Sequence, residues 1–212
     1  MDEAGWPPSP RHWARTRLGN LAEVVGGVPK GRDLRGRKVR SCPYLRVANV
    51  QRGFLDLGEM KKIEIGEDEL AKYELLPGDI LFTESGDWDK AGRSAIWRGE
   101  VPDCVHQNHV FRVRCVVPSV DPPRISMFAN SPVGRRYFEG AAKQTTNLAS
   151  INMTQLKNCP FPTPPEGKRR LILAKVDSLI SLCDDLEATL RRATKLAAAA
   201  TQALLTPSAP AT

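Results

Sequence analysis

Apolar residues change their rhythm once along this chain, close to residue 165. Before that point short apolar runs alternate with Gly, Asp and Asn turns, a pattern that predicts strands. Tyr44–Val50, Ile80–Thr83 and Asn108–Val117 are read this way. In the last of them Phe111, Val113, Cys115 and Val117 share one face, and Val110, Arg112 and Arg114 the other. Asp79 and Gly78, after Pro77, read as a tight turn launching an apolar strand. Two short helices are predicted near 123–141. A further helix opens at Asn152, where Asn152 and Gln155 have the spacing of a capping box. The mixture predicts an α+β domain over residues 13–158. Residues 1–12 are a proline-rich, loose segment before Trp13 and Leu18 dock.

Residues 159–165, Cys-Pro-Phe-Pro-Thr-Pro-Pro, read as a proline hinge. Thr163 suits an N-cap, Pro164 the first helical position, and Glu166 falls three residues after the cap. One helix is expected over 164–205, about 63 Å long at about 1.5 Å per residue. A disordered tail follows over 206–212. Along the helix Ile172, Val176, Leu179, Cys183, Leu186, Leu190, Ala193, Ala197, Ala200 and Leu204 recur at alternating intervals of four and three. Such a seam is the mark of a coiled coil. A domain of about 150 residues is only about 35 Å across, so the stripe needs a partner helix of similar length.

Charge adds direction. The net charge is +7, with ten Lys or Arg against four Asp or Glu in residues 1–50 and near balance thereafter. Lys30, Arg32, Arg35, Arg37, Lys38 and Arg40 sit in one glycine-spaced loop, which suits a phosphate backbone; a merely solvated basic loop is the plain alternative. Five cysteines without Cys-x-x-Cys spacing argue for reduced thiols in a cytoplasmic protein. No run of about 18 apolar residues spans a membrane, and Met1–Pro8 lacks the form of a secretion signal.

Several chemistries are weighed and set aside. Asn158-Cys159-Pro160-Phe161 mimics an amino-methyltransferase motif but lies in the hinge, and no glycine-rich loop follows a strand. Asp87-Trp88-Asp89-Lys90 would put Asp87 and Lys90 on opposite faces of a strand, unlike a metal nuclease. Glu166-Gly167-Lys168 has the spacing but opens a helix. Cys104, His106, His109 and Cys115 have the donors for zinc, yet a structural or DNA-facing histidine is the simpler reading. There is no phosphate-binding glycine loop, so any ATP use belongs to a partner; no metal and no cofactor are expected.

Five blocks in order carry a resemblance: Trp13-Ala14-Arg15-Thr16-Arg17-Leu18-Gly19, Tyr44-Leu45-Arg46-Val47-Ala48-Asn49-Val50, Leu76-Pro77-Gly78-Asp79-Ile80-Leu81-Phe82-Thr83 with Gly92-Arg93, Gln107-Asn108-His109-Val110-Phe111-Arg112-Val113, and Gln144–Asn152. With the closing helix they resemble one half of a type I restriction–modification specificity subunit. Such subunits carry two units in tandem; here there is one, and Glu166-Gly167-Lys168 follows the prolines directly. Met1 and the tail favour a half-size chain over a cut fragment.

The resemblance implies a non-catalytic, sequence-specific DNA-binding adaptor. It would direct adenine methyltransferase and ATP-driven endonuclease subunits to a bipartite target. A homodimer would read a palindrome, and pairing with a different half-subunit an asymmetric site. Lys30, Arg32, Arg35, Arg37, Lys38 and Arg40 are the backbone candidates. Arg46, Asn49, Ser85, Asp87, Lys90, Arg93, Gln107, Asn108, Lys143, Gln144 and Asn147 are the base candidates, each with an equally ready structural role at a turn. A fragment of a fused endonuclease or methyltransferase, and a coiled-coil interaction module without DNA specificity, are the rival readings.

Overall fold

A computed structural model describes residues 9–86, 90–118, 120–145 and 148–205. The chain divides into two compact units, Met1–Thr163 and Pro164–Thr212. The first runs β1 (Ala14–Arg17), β2 (Ala22–Gly26), β3 (Val39–Leu45), β4 (Lys61–Gly66), α1 (Leu70–Tyr73), β5 (Ile80–Thr83), β6 (Ser85–Gly86), β7 (Ser94–Ile96) and β8 (Val105–His106). It continues through β9 (Val110–Cys115), α2 (Pro122–Asn130), α3 (Pro132–Ala141), β10 (Lys143–Thr145), β11 (Leu148–Ser150), α4 (Met153–Lys157) and β12 (Pro160–Thr163). The second unit is α5, Glu166–Leu205. The architecture is α+β followed by one long helix.

The centre of the first unit is an antiparallel sheet in the order β2-β9-β5-β7. Alternation sends Ile80, Phe82, Phe111 and Val113 to one face, where they meet Ile125, Ala129, Phe138 and Leu156 from the helices. Phe82 and Phe138 stack with ring centroids 6.1 Å apart. Leu81 and Val110 point the other way, into a second core with Leu45, Val50 and Trp97. The sheet is therefore buried on both faces. Val110 and Arg112 take the face that the alternation assigned them, and that face is buried. Arg112 is 3% exposed and donates to the Lys72 and Glu74 carbonyls and to Glu23. A buried guanidinium is tolerable where such acceptors surround it.

The turn before β5 follows its sequence. Gly78 has φ 96°, Asp79 N–H returns to Leu76 O, and the Asp79 carboxylate accepts from Leu76 N–H. Helices α2 and α3 each open on proline, which needs no N–H partner at that position. Asn152 caps α4, with Gln155 reciprocating, as its spacing predicts.

Two local readings change. The strand expected over Tyr44–Val50 ends at Leu45, and Val47–Asn49 form a single 3-10 turn. The Asn49 side chain closes that turn by accepting from Arg46 N–H. The proline segment after Cys159 is not a bare hinge: Pro160–Thr163 form β12, antiparallel to β1 with Ala14 opposite Thr163. Prolines fit there because a two-stranded sheet leaves alternate N–H groups unpaired anyway. Thr163 is thereby held in the ladder and does not cap the helix. The Pro165 carbonyl accepts from Lys168 and Arg169 N–H, so α5 starts at Glu166.

Helix α5 spans 40 residues, about 60 Å. Leu179, Leu186 and Leu190 on its seam are 49%, 61% and 68% exposed. Among the described residues no helix is long and apolar enough to cross a membrane.

Candidate nucleic-acid interface

The basic loop joins β2 to β3. Its entry is pinned against β8: Val28 N–H donates to His106 O, and Asn108 N–H to Val28 O. Gly27 lies so close to this strand that an added Cβ would sit 2.2 Å from the His106 carbonyl oxygen, so only glycine fits. From there the cations are not left bare. Arg32 pairs with Glu69 at 2.7 Å, Arg35 with Asp33 at 2.6 Å, and Arg37 with Asp68 at 2.8 Å and Glu69 at 3.3 Å. Arg40 pairs with Asp103. The guanidinium of Arg35 holds the Asp33 carboxyl below its usual range, and that of Arg37 does the same for Asp68. Lys30 lies over the Tyr44 ring, 5.4 Å from its centroid, and Lys38 is exposed without an ion pair among the described residues. The loop thus carries a partly compensated charge. A phosphate would have to compete with Asp33, Asp68 and Asp103 for the arginines.

The base candidates fall into two groups. Strands β10, β11 and β6 form one antiparallel sheet, with Ser85 opposite Ser150 and Gln144 opposite Ala149. Ser85 on β6, and Lys143 and Gln144 on β10, therefore lie on the two strands that flank β11; the side chains of Lys143 and Gln144 lie outside the described ones. Asp87 and Asn147 lie outside the described residues. The turn carrying Gln107 and Asn108 adjoins this sheet, because Glu84 N–H donates to His109 O and Ile151 N–H to Glu84 O. The second group surrounds the turn after β3. Arg93 donates to the Gln51 side chain, and Arg46 reaches the Glu59 carbonyl and carboxylate. Lys90 serves through its backbone, its carbonyl accepting from the Thr83 hydroxyl.

Asn49 is 3% exposed, and its amide donates to the Asp56 and Glu59 carbonyls. It is a structural residue, leaving nothing for a base edge. At the sheet rim His109, read from the sequence as a structural or DNA-facing histidine, gains a partner that the sequence did not show. Exposed His109 shares a 2.6 Å hydrogen bond through Nδ1 with Glu84. Its Nε2 lies 3.4 Å from the Asn108 side-chain amide nitrogen. The block Gln107-Asn108-His109 was the available signal; Glu84 carried none, being remote in sequence.

The donors weighed for zinc are buried, half-buried or engaged elsewhere. His106 is buried, Nδ1 donates to Val110 O at 2.6 Å, and burial pushes its pKa down to about 4. Among the described residues its Nε2 has no hydrogen-bond partner. Burial pushes the Cys104 thiol up to about 12 and Cys115 up to about 11. Among the described residues no group of three or more His, Cys, Asp or Glu could hold an ion. What the surface presents is a rim of amide, hydroxyl, imidazole and guanidinium groups beside a cationic loop, the inventory for reading base edges and gripping phosphates.

No protein-family model matches the chain. Among curated proteins it is similar to the type I restriction enzyme MjaX specificity subunit of Methanocaldococcus jannaschii. The two are 27% identical over 193 residues, covering 88% of this chain and 44% of that protein. It is also similar to the StySPI specificity subunit of Salmonella potsdam, 26% identical over 195 residues, or 91% of this chain and 42% of that one. With the EcoKI specificity subunit of Escherichia coli the figures are 25% over 165 residues, 77% and 35%. The chain spans less than half the length of each. Among solved structures, a chain of a type I R-M system superposes with a TM-score of 0.58 at 18% identity, covering 93% of this chain and 45% of that chain. The HsdS subunit of Thermoanaerobacter tengcongensis gives 0.52 at 18% identity, covering 88% and 41%. The curated relatives are type I restriction enzyme specificity subunits, and the chain shares the fold of one half of such a subunit.

Proposed function

We propose that this half-length relative of type I specificity subunits is a non-catalytic DNA-recognition subunit. It holds one segment of a split target sequence while adenine-methylating and DNA-cleaving subunits act around it. One observation carries the reading: the likeness to specificity subunits runs through nearly the whole chain, recognition domain and helix alike. The arrangement of the surface supports it. Ser85, Asn108 and His109 stand at one rim, and the loop from Lys30 to Arg40 is anchored beside them through Val28. The loop sets register on the phosphates, and the rim reads the bases. Helix α5 pairs with another long helix and so ties this reader to a second one. The two readers give the target its two parts.

The test is a titration of duplex binding against salt with a randomised pool. The expected result is affinity that falls steeply between about 50 and 200 mM salt while one half-site is enriched. Weak, salt-insensitive binding without enrichment would overturn the reading. In cells that also carry the methylating partner, methylated adenines should map to a split sequence.

A further inference from the structure

Five of the six phenylalanines serve the first core: Phe82, Phe111, Phe138 and Phe161 are buried in it, and Phe128 packs against it. Phe54 is the exception, 61% exposed on the turn between Val50 and Leu55. Alternation accounts for its direction. Leu55 and Leu57 pack against the second core, so Phe54 and Asp56 fall on the outer side.

That direction is firmly held. Val50 and Leu55 form an antiparallel bridge, and Gln51 N–H donates to Phe54 O at 3.0 Å. Gly53 N–H donates to the carbonyl of Ser94 in β7 at 2.9 Å. Ser94 is itself clamped by Asn130 of α2, whose side chain accepts from its N–H and donates to its carbonyl. The Ser94 hydroxyl lies 3.0 Å from that of Ser126. A ring on so well anchored a turn gives up little freedom when a partner covers it.

Its place in the fold brings it to the reading surface. Arg93, next to Ser94, accepts through its carbonyl from Thr83 N–H at the end of β5, and Glu84 N–H donates to His109 O. The turn of Phe54, β7, β5 and the His109 segment thus lie side by side, three strand spacings or about 14 Å from first to last. That distance matches about four base steps of about 3.4 Å. The surroundings carry the charge that a duplex attracts: Arg52 adjoins the ring in the chain, and Arg93 donates to the Gln51 side chain at 2.9 Å. Base edges in the major groove offer hydrogen-bonding groups with one apolar exception, the 5-methyl group of thymine.

We propose that Phe54 is a base-reading residue whose ring packs on the 5-methyl group of one thymine, within about four steps of the base that His109 faces. The proposal rests on the DNA-recognition reading above and adds to it an apolar contact on the side of Gln51 and Arg93.

The experiment uses the full-length chain and the half-site enriched from the randomised pool. Each thymine of that half-site, on either strand, is replaced singly by deoxyuridine, which removes the methyl group and keeps every hydrogen-bonding group. One replacement should weaken binding by about fourfold, the worth of burying one methyl group. With Phe54→Ala the same replacement should cost nothing, while the salt slope and the melting temperature stay as they were. Phe54→Leu, still apolar, should retain part of the discrimination. An equal loss in both proteins, or a half-site in which no thymine is sensitive, overturns the contact and leaves the functional reading standing on the enrichment. A pool without enrichment sinks both. If Phe54→Ala leaves base preference untouched and abolishes capture of the methylating subunit, the ring docks a protein and the proposal is wrong.

Discussion

Arg114 grips Asp79 with both ends of its guanidinium fork, Nε to Oδ1 and Nη2 to Oδ2, each at 2.7 Å. Asp79 is 1% exposed and also accepts from Leu76 N–H, so this carboxylate ties the Pro77-Gly78 turn to strand β9. Replacing Asp79 with Ala strands a guanidinium and a backbone donor together. The expected loss is about 3–5 kcal/mol of folding free energy, read as a lower urea midpoint. The half-site preference of the fraction still folded should be unaltered, because neither group lies at the reading rim.

His106 makes stability depend on pH. Its pKa falls from 6.5 to about 4 on folding because burial penalises the cation, and the unpartnered Nε2 has no acceptor for a second proton. Between those values the unfolded chain binds a proton that the native chain refuses, so stability rises with pH across that window. Taking the protein from pH 7 to pH 4 should therefore cost about 3 kcal/mol from this residue. Urea unfolding at a series of pH values checks it. His106→Asn keeps a donor near Val110 O, and should flatten the profile over the same range.

On the proposed reading, the aspartates beside the basic loop compete with phosphate. Asp68→Ala should leave Arg37 only its 3.3 Å pair with Glu69 and tighten binding to every duplex by roughly two- to fivefold at low salt, the range expected for losing one exposed pair. Replacing Arg35, Arg37 and Lys38 together should weaken all duplexes about equally and flatten the salt slope. A loss confined to one base position would instead assign base reading to the loop.

Glu84 and His109 give the opposite signature. Glu84→Gln removes the charge that orients the ring, and His109→Ala removes the ring. Both should relax preference at a single base position by about 1–3 kcal/mol while leaving the salt slope as it was. A uniform loss across sequences would make the pair a backbone contact.

What the sequence made legible was local. The Asn152 and Gln155 cap and the Pro-Gly turn before Ile80 act within four residues, and each stands where its spacing placed it. What stayed hidden depended on distant partners. The carboxylate of Glu23 that makes buried Arg112 tolerable is 89 residues away, and the acids that temper Arg37 and Arg40 are 31 and 63 residues away. The strand at 160–163 was masked because proline signals a break, and its partner strand is the first of the domain. At the rim, apposition of Ser85 with the strand preceding Asn152 required the three-stranded sheet itself.

The β1–β12 ladder brings the opening and closing strands of the recognition unit side by side, with Arg17 opposite Pro160 and Ala14 opposite Thr163. Everything between them leaves and returns through one doorway. A cassette cut at these two strands can be exchanged for another of different size without moving either outer connection; on the proposed reading, evolution or an engineer could change what is read and keep the same mount.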